Sequence, residues 1–185
     1  MMELREKIKL VTRQATKILL LMVSFWTFQQ NYDGLIMGCG IRIEPNGNRD
    51  ELMGESLTML ATLIQTHVIS TFRKINITRG EYLLLKAVAL FEALDEYFPP
   101  ADRVIMETAL IKYRSALVSC IKSSHLELEH EALLERVQAL LGTLTHLEVA
   151  KEFDNRRLID AVLTNNGGMR GRLTMDMHMN STHVD

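Results

Sequence analysis

The chain has little cysteine, proline or glycine, and these shortages exclude several classes of protein. Two cysteines, Cys39 and Cys120, are too few for a four-ligand zinc module and do not suggest a disulfide framework. Three prolines and ten glycines in 185 residues exclude collagen-like and low-complexity chains. The 21 basic and 23 acidic residues nearly balance, which gives no general attraction to nucleic acid. With 47% hydrophobic residues, the sequence predicts one globular domain with a sizeable core.

The most apolar run is too short to cross a membrane. It covers residues 18–28, eleven residues, whereas a spanning helix needs about twenty. A basic stretch precedes it, as in a signal peptide, but Trp26, Phe28 and Gln29 stand where a cleavage site needs small residues. We therefore expect no membrane contact and a reducing intracellular environment.

No motif in the sequence indicates an enzyme. Gly38 and Gly40 lack the third glycine and the following lysine of a phosphate-binding loop, and no Gly-x-Ser-x-Gly elbow occurs. His125 and His130 are five residues apart, a spacing that points their rings away from each other on a helix. We expect no catalytic residues, no metal site and no cofactor.

Hydrophobic periodicity predicts an all-α fold with a small β-hairpin. Residues 4–30 form an uninterrupted helical stretch, and two short β-prone runs surround Gly38 and Gly40. Thr78 and Glu81 have the spacing of a capping box at the start of a helix. Further helices are predicted over residues 50–72, 82–94 and 102–121, and after residue 131. Because residues 18–28 and the centre of 82–94 are apolar on every side, we expect other helices to surround both, in a three-layer sandwich.

Four segments, taken in order, are similar to one known family. Residues 17–30 carry paired leucines and a downstream aromatic, as in that family's buried helix, and residues 33–43 look like the small sheet that follows it. Residues 72–91 are the strongest match: a helix end, a short threonine–glutamate connection and a leucine-rich helix ending in phenylalanine. Arg136 and residues 140–147 are similar to its dimerisation helix. The family is the ligand-binding domain of nuclear hormone receptors, and the style is closest to the divergent supplementary receptors of nematodes.

The resemblance implies a partial ligand-binding domain over residues 1–164, followed by a flexible hinge and a degenerate C-terminal switch helix or tail over residues 165–185. The family's cysteine-rich DNA-binding domain is absent, so no direct contact with nucleic acid is implied. The family's first helices would precede Met1, which would leave the ligand pocket without one wall. Residues 173–178 match the switch-helix pattern only in part, because Thr174 and His178 stand where the family has apolar residues.

The resemblance also implies a nuclear (or also cytoplasmic) regulator of transcription that binds a small hydrophobic ligand and forms a homodimer or a heterodimer with another receptor. Ligand would favour one position of the C-terminal segment and so recruit a co-regulator helix. The implied ligand-binding residues are Met22, Phe25, Trp26, Gln29, Met37, Ile41, Ile64, His67 and Phe153. The implied co-regulator groove uses Lys17, Leu20 and Asp176. The implied dimer face is the heptad-spaced seam of Leu133, Val137, Leu140, Leu144 and Leu147.

Two alternatives stay open at the level of the sequence. The first alternative is a ligand-independent interaction protein that pairs with full-length receptors and inhibits them. The second is an incomplete product whose missing helices are encoded upstream. Each apolar residue named above also has a simpler role as part of an ordinary core.

Overall fold

The computed structural model describes residues 2–38, 40–44, 54–93 and 97–164. Within these ranges the chain is mostly helical with one two-stranded antiparallel sheet, which confirms the predicted class. The elements are α1 (Leu4–Gln29), β1 (Leu35–Ile36), β2 (Arg42–Ile43), α2 (Gly54–Ile64), α3 (Ser70–Ile75), α4 (Arg79–Phe91), α5 (Pro100–Ser124) and α6 (His130–Leu163). A π-helical segment, Gln65–Ile69, joins α2 to α3. None of the described helices is long and apolar enough to span a membrane.

The predicted hairpin is confirmed, and glycine permits its close packing. Leu35 of β1 pairs with Ile43 of β2. A Cβ atom on Gly34 would lie 2.4 Å from the Ile43 carbonyl oxygen, so any larger residue would push the strands apart. The backbone N–H of Ile36 donates to the Thr27 hydroxyl at 2.9 Å, which attaches the hairpin to the C-terminal part of α1.

The main core lies where α1, α2, the π-helical segment, α4 and α6 meet. Its largest fully buried side chains include Leu21, Ile64, Phe72, Leu85 and Leu140. A second, smaller cluster joins the start of α1 to the α4–α5 connection and α5, through Met2, Leu10, Ala93, Phe98 and Met106.

A capping box begins α4, as predicted, and its glutamate also forms a buried ion pair. The Thr78 hydroxyl accepts from the Glu81 backbone N–H at 3.3 Å, and the Glu81 carboxylate accepts from the Thr78 N–H at 2.7 Å. Arg136 of α6 donates to both carboxylate oxygens of Glu81, at 2.6 and 2.9 Å, and to the Ile75 carbonyl at 2.6 Å. One arginine thus ties together the end of α3, the start of α4 and α6.

The ion pair determines the protonation of the fully buried Glu81 side chain. Burial alone would raise the pKa of Glu81, but the hydrogen bonds and charge of Arg136, with the hydrogen bonds to Thr78, outweigh it and lower the pKa below its ordinary value.

One face of the α1–α4 pair is uncovered. Leu19, Met22 and Trp26 on α1 and Leu83 on α4 are each 43–51% exposed. The prediction that these two apolar helices are surrounded on every side is therefore wrong for this face, because no described element packs against it.

The heptad seam of α6 packs inward. Leu133, Leu140, Leu144 and Leu147 are buried, and Val137 is half-buried against the same core. The prediction that these residues form a dimer face is wrong, because their contacts are already made within one chain.

Candidate functional site

An open apolar cleft of about 710 Å³ lies on the uncovered face, between α1, the hairpin and α4. Its volume falls within the range of about 300–1,000 Å³ that is usual for small-molecule sites. Its lining residues are Leu19, Met22, Val23, Phe25, Trp26, Gln29, Ile36, Met37, Gly38, Gly40, Arg79, Tyr82, Leu83 and Lys86.

Five of the nine residues predicted to bind ligand line this cleft together: Met22, Phe25, Trp26, Gln29 and Met37. Four of them share one side of α1 because they are spaced three and four residues apart, which is close to one helical turn. The hairpin brings Met37 to the same place. The Phe25 ring stacks on the Tyr82 ring at a centroid distance of 3.9 Å, which fixes the wall between α1 and α4.

The remaining four predicted residues lie outside the cleft. Ile41 is exposed on the hairpin, Ile64 is fully buried in the core, and Phe153 packs half-buried on α6. His67 is exposed on the π-helical segment. The structure therefore does not bring these four residues to this cleft. The opposite wall was expected from α2 and α6, and these helices belong to the main core on the inner side of α1.

The polar groups of the cleft are concentrated on α4. Arg79 and Lys86 line it, and no carboxylate of the described residues does. The Lys86 ammonium lies 5.5 Å from the centre of the Tyr82 ring, and burial raises the pKa of the Tyr82 hydroxyl. An apolar floor with two cations at its edge suits a molecule that has an apolar body and one anionic or polar end.

The predicted co-regulator groove does not form around Lys17 and Leu20. Both side chains are buried, with exposed fractions of 3% and 2%. The Lys17 ammonium lies 3.2 Å from a Glu92 oxygen and 3.1 Å from a Glu148 oxygen. The assignment of these two residues to a groove is wrong, because Leu20 belongs to the core and the charge of Lys17 is used within the chain. Asp176, the third predicted member, lies outside the described residues, as does all of the predicted hinge and switch region 165–185.

Two histidines that the sequence treats as isolated lie together in the fold. His67 of the π-helical segment stacks on His146 of α6, with a centroid distance of 4.5 Å and an angle of 13° between the rings. Nothing in the sequence links two histidines 79 positions apart, and π-helical segments are frequent at functional sites. In the part of the chain that the structure describes, no three potential metal-ligating side chains lie together.

In comparisons with known proteins, no family model and no curated sequence matches the chain. The resemblance to nuclear-receptor ligand-binding domains therefore stays a prediction made from the sequence.

Proposed function

We propose that the chain is a ligand-binding module of the nuclear-receptor type, which regulates transcription by binding a small hydrophobic ligand in the apolar cleft. The observation that carries this proposal is the meeting of Met22, Phe25, Trp26, Gln29 and Met37 in one cleft of suitable size. The resemblance to the family implies a ligand-binding role for all five.

The proposed architecture is the three-layer sandwich of that family. In it, α1 and α4 belong to the middle layer, and α6 to the layer behind them. In that architecture a third layer would cover the face of α1 and α4 on which Leu19, Trp26 and Leu83 are exposed, and no described element of this chain supplies that layer. Dimerisation then uses exposed residues of α6, such as Leu134 and Val149, in place of the buried leucine seam.

The chemistry of the cleft favours an amphipathic ligand. Its floor takes an apolar body, and Arg79 and Lys86 attract a negatively charged end. A long-chain carboxylic acid has both features. Binding of such a ligand favours one position of the C-terminal segment only to the extent that the chain has a higher affinity for the ligand with the segment in that position.

Fluorescence tests the proposal, because Trp26 is the only tryptophan and lines the cleft. We expect palmitate, titrated below its aggregation limit, to shift the emission of Trp26 to shorter wavelength in a saturable way. Leu83→Glu, within the cleft, should weaken binding about ten-fold or more, because it puts a negative charge against the apolar body of the ligand, which would shield that charge from water. Ile111→Glu is the matched control, since Ile111 is also exposed but lies on α5, outside the cleft. The same palmitate affinity in the two variants, or the absence of a saturable shift in the wild type, would contradict the proposal.

A second candidate function is the ligand-independent interaction protein. It is favoured by an exposed apolar stripe that runs along α1 from Leu4, Ile8 and Val11 to Leu19, Met22 and Trp26. Large exposed apolar patches on a soluble chain mark protein interfaces.

Ile8→Asp separates the two functions, because Ile8 belongs to the stripe but not to the cleft. The interaction protein predicts that sedimentation velocity detects an assembly of the wild type that I8D disrupts. The ligand-binding module predicts that palmitate binding is the same in I8D and in the wild type.

A further inference from the structure

A second, charged cleft of about 680 Å³ lies at the other end of α1. Its walls are the N-terminal half of α1, the connection from α4 to α5, and the C-terminal half of α6. The lining residues are Arg13, Gln14, Lys17, Glu92, Ala93, Tyr97, Leu144, Thr145, Glu148, Lys151, Glu152, Asn155 and Arg156.

Two of its three carboxylates are already neutralised by cations. Lys17 lies between Glu92 and Glu148, at 3.2 and 3.1 Å. Arg114 approaches the other oxygen of Glu92 at 2.8 Å, and Lys151 pairs with the other oxygen of Glu148. Three cations thus serve two carboxylates, so these carboxylates leave no unbalanced negative charge in the cleft.

Two guanidinium groups of the cleft have no carboxylate partner among the described residues: those of Arg13 and Arg156. The Arg13 guanidinium carbon lies 3.4 Å from the centre of the Tyr97 ring. This contact covers one face of the guanidinium and leaves its N–H edge for a ligand. Glu152 is the third lining carboxylate, so among the described residues five cations in and beside the cleft face three carboxylates. The excess is positive in a chain whose net charge is −2.

A buried side chain in the same cleft lacks a hydrogen-bond donor. Gln14 is 3% exposed, and its buried Oε1 atom has no hydrogen-bond partner among the described residues. A buried acceptor without a donor is unfavourable, and most buried polar groups in proteins are paired. A ligand O–H or N–H group supplies what this oxygen lacks.

We propose that this cleft binds a small organic anion whose carboxylate or phosphate group pairs with Arg13 and Arg156, and whose adjacent hydroxyl or amino group donates to Gln14. Guanidinium groups suit carboxylate and phosphate because their paired N–H groups match two oxygens at once. The site is separate from the apolar cleft, and its occupancy does not depend on the function proposed for that cleft.

Isothermal titration calorimetry tests the proposal with glycerol 3-phosphate, malate and uncharged glycerol. We expect one or both anions to bind with one-to-one stoichiometry at submillimolar concentration, and glycerol not to bind. Stronger binding of glycerol 3-phosphate identifies the phosphate class, and stronger binding of malate the carboxylate class.

Three variants locate the binding site. Arg13→Gln and Arg156→Gln should each weaken anion binding about ten-fold, the loss expected for one hydrogen-bonded charge. Arg42→Gln is the matched control, because Arg42 also lies over a tyrosine ring, that of Tyr32, but outside the cleft. Circular dichroism checks that each variant keeps its helices, and either arginine variant alone is sufficient for the test. Absence of binding by both anions, or equal binding by R13Q, R156Q and R42Q, would overturn the proposal.

Discussion

At the residue scale, Glu81 and Arg136 show how strongly burial changes the value of an ion pair. Glu81 is fully buried and paired at 2.6 Å, whereas Glu92 and Arg114 form a partly exposed pair at 2.8 Å. The two distances are similar, but water screens only the second pair well.

We predict that Arg136→Met lowers the free energy of unfolding by about 3–5 kcal/mol, because the buried Glu81 carboxylate loses its guanidinium and keeps only the Thr78 N–H and the His125 ring, whose Nε2 lies 3.4 Å from Oε1. Arg114→Met, the control, should cost at most about 1 kcal/mol. Urea denaturation followed by circular dichroism measures both values. Similar losses for the two variants would show that burial of Glu81 does not determine the strength of its pair.

The same pair predicts a pH dependence of stability. The folded-state pKa of Glu81 is lowered from 4.5. The ionised Glu81 side chain therefore makes its full contribution to the free energy of unfolding above the unfolded-state pKa, and this contribution is lost as pH falls through the folded-state pKa. The stability gap between the wild type and R136M should therefore narrow as pH falls from about 6 to about 3. Urea midpoints across this range test it, and a gap that stays constant would contradict the lowered pKa.

At the element scale, the sequence predicts what depends on local pattern. The expected helix 4–30 is observed as Leu4–Gln29, and the expected helix 102–121 as Pro100–Ser124. The capping box at Thr78 and the hairpin are also confirmed, because each depends on residues that are close in the sequence.

Contacts between elements are not visible in such patterns. A seam such as Leu140 and Leu144 has the same heptad spacing whether it faces a second chain or its own core. The pairing of Arg136 with Glu81, the burial of Lys17 and the stacking of His67 on His146 all join helices distant in the sequence. For the same reason, four predicted ligand-binding residues that share one side of α1 meet in the apolar cleft, whereas predicted residues on distant elements, such as Ile64 and Phe153, lie elsewhere.

The hairpin supports one wall of the apolar cleft, so its packing affects ligand binding. We predict that Gly34→Ala destabilises the chain by about 1–3 kcal/mol, because the new Cβ would overlap the Ile43 carbonyl oxygen. It should also weaken palmitate binding, since Met37 moves with the hairpin. Gly142→Ala on α6 is the control, because a Cβ there meets nothing within 4 Å and Gly142 does not line the cleft. Thermal unfolding and the Trp26 titration measure the two effects, and equal behaviour of both variants would contradict this role of Gly34.

At the scale of the whole molecule, α1 connects two chemically different clefts. Its C-terminal half forms the apolar cleft around Trp26, and its N-terminal half forms the charged cleft around Arg13 and Lys17. The two sites share no lining residue, so a substitution in one is a control for the other. The ion pairs of the buried Lys17 with Glu92 and Glu148 hold α1 against the end of α4 and against α6.

Native mass spectrometry of the purified chain tests the central claim, that the apolar cleft holds a hydrophobic ligand. We expect the chain to be folded and to carry an adduct of lipid size that is released on denaturation. The adduct should be lost in Leu83→Glu and kept in Ile111→Glu. A folded wild-type chain without an adduct, or an adduct that L83E retains in full, would contradict the claim.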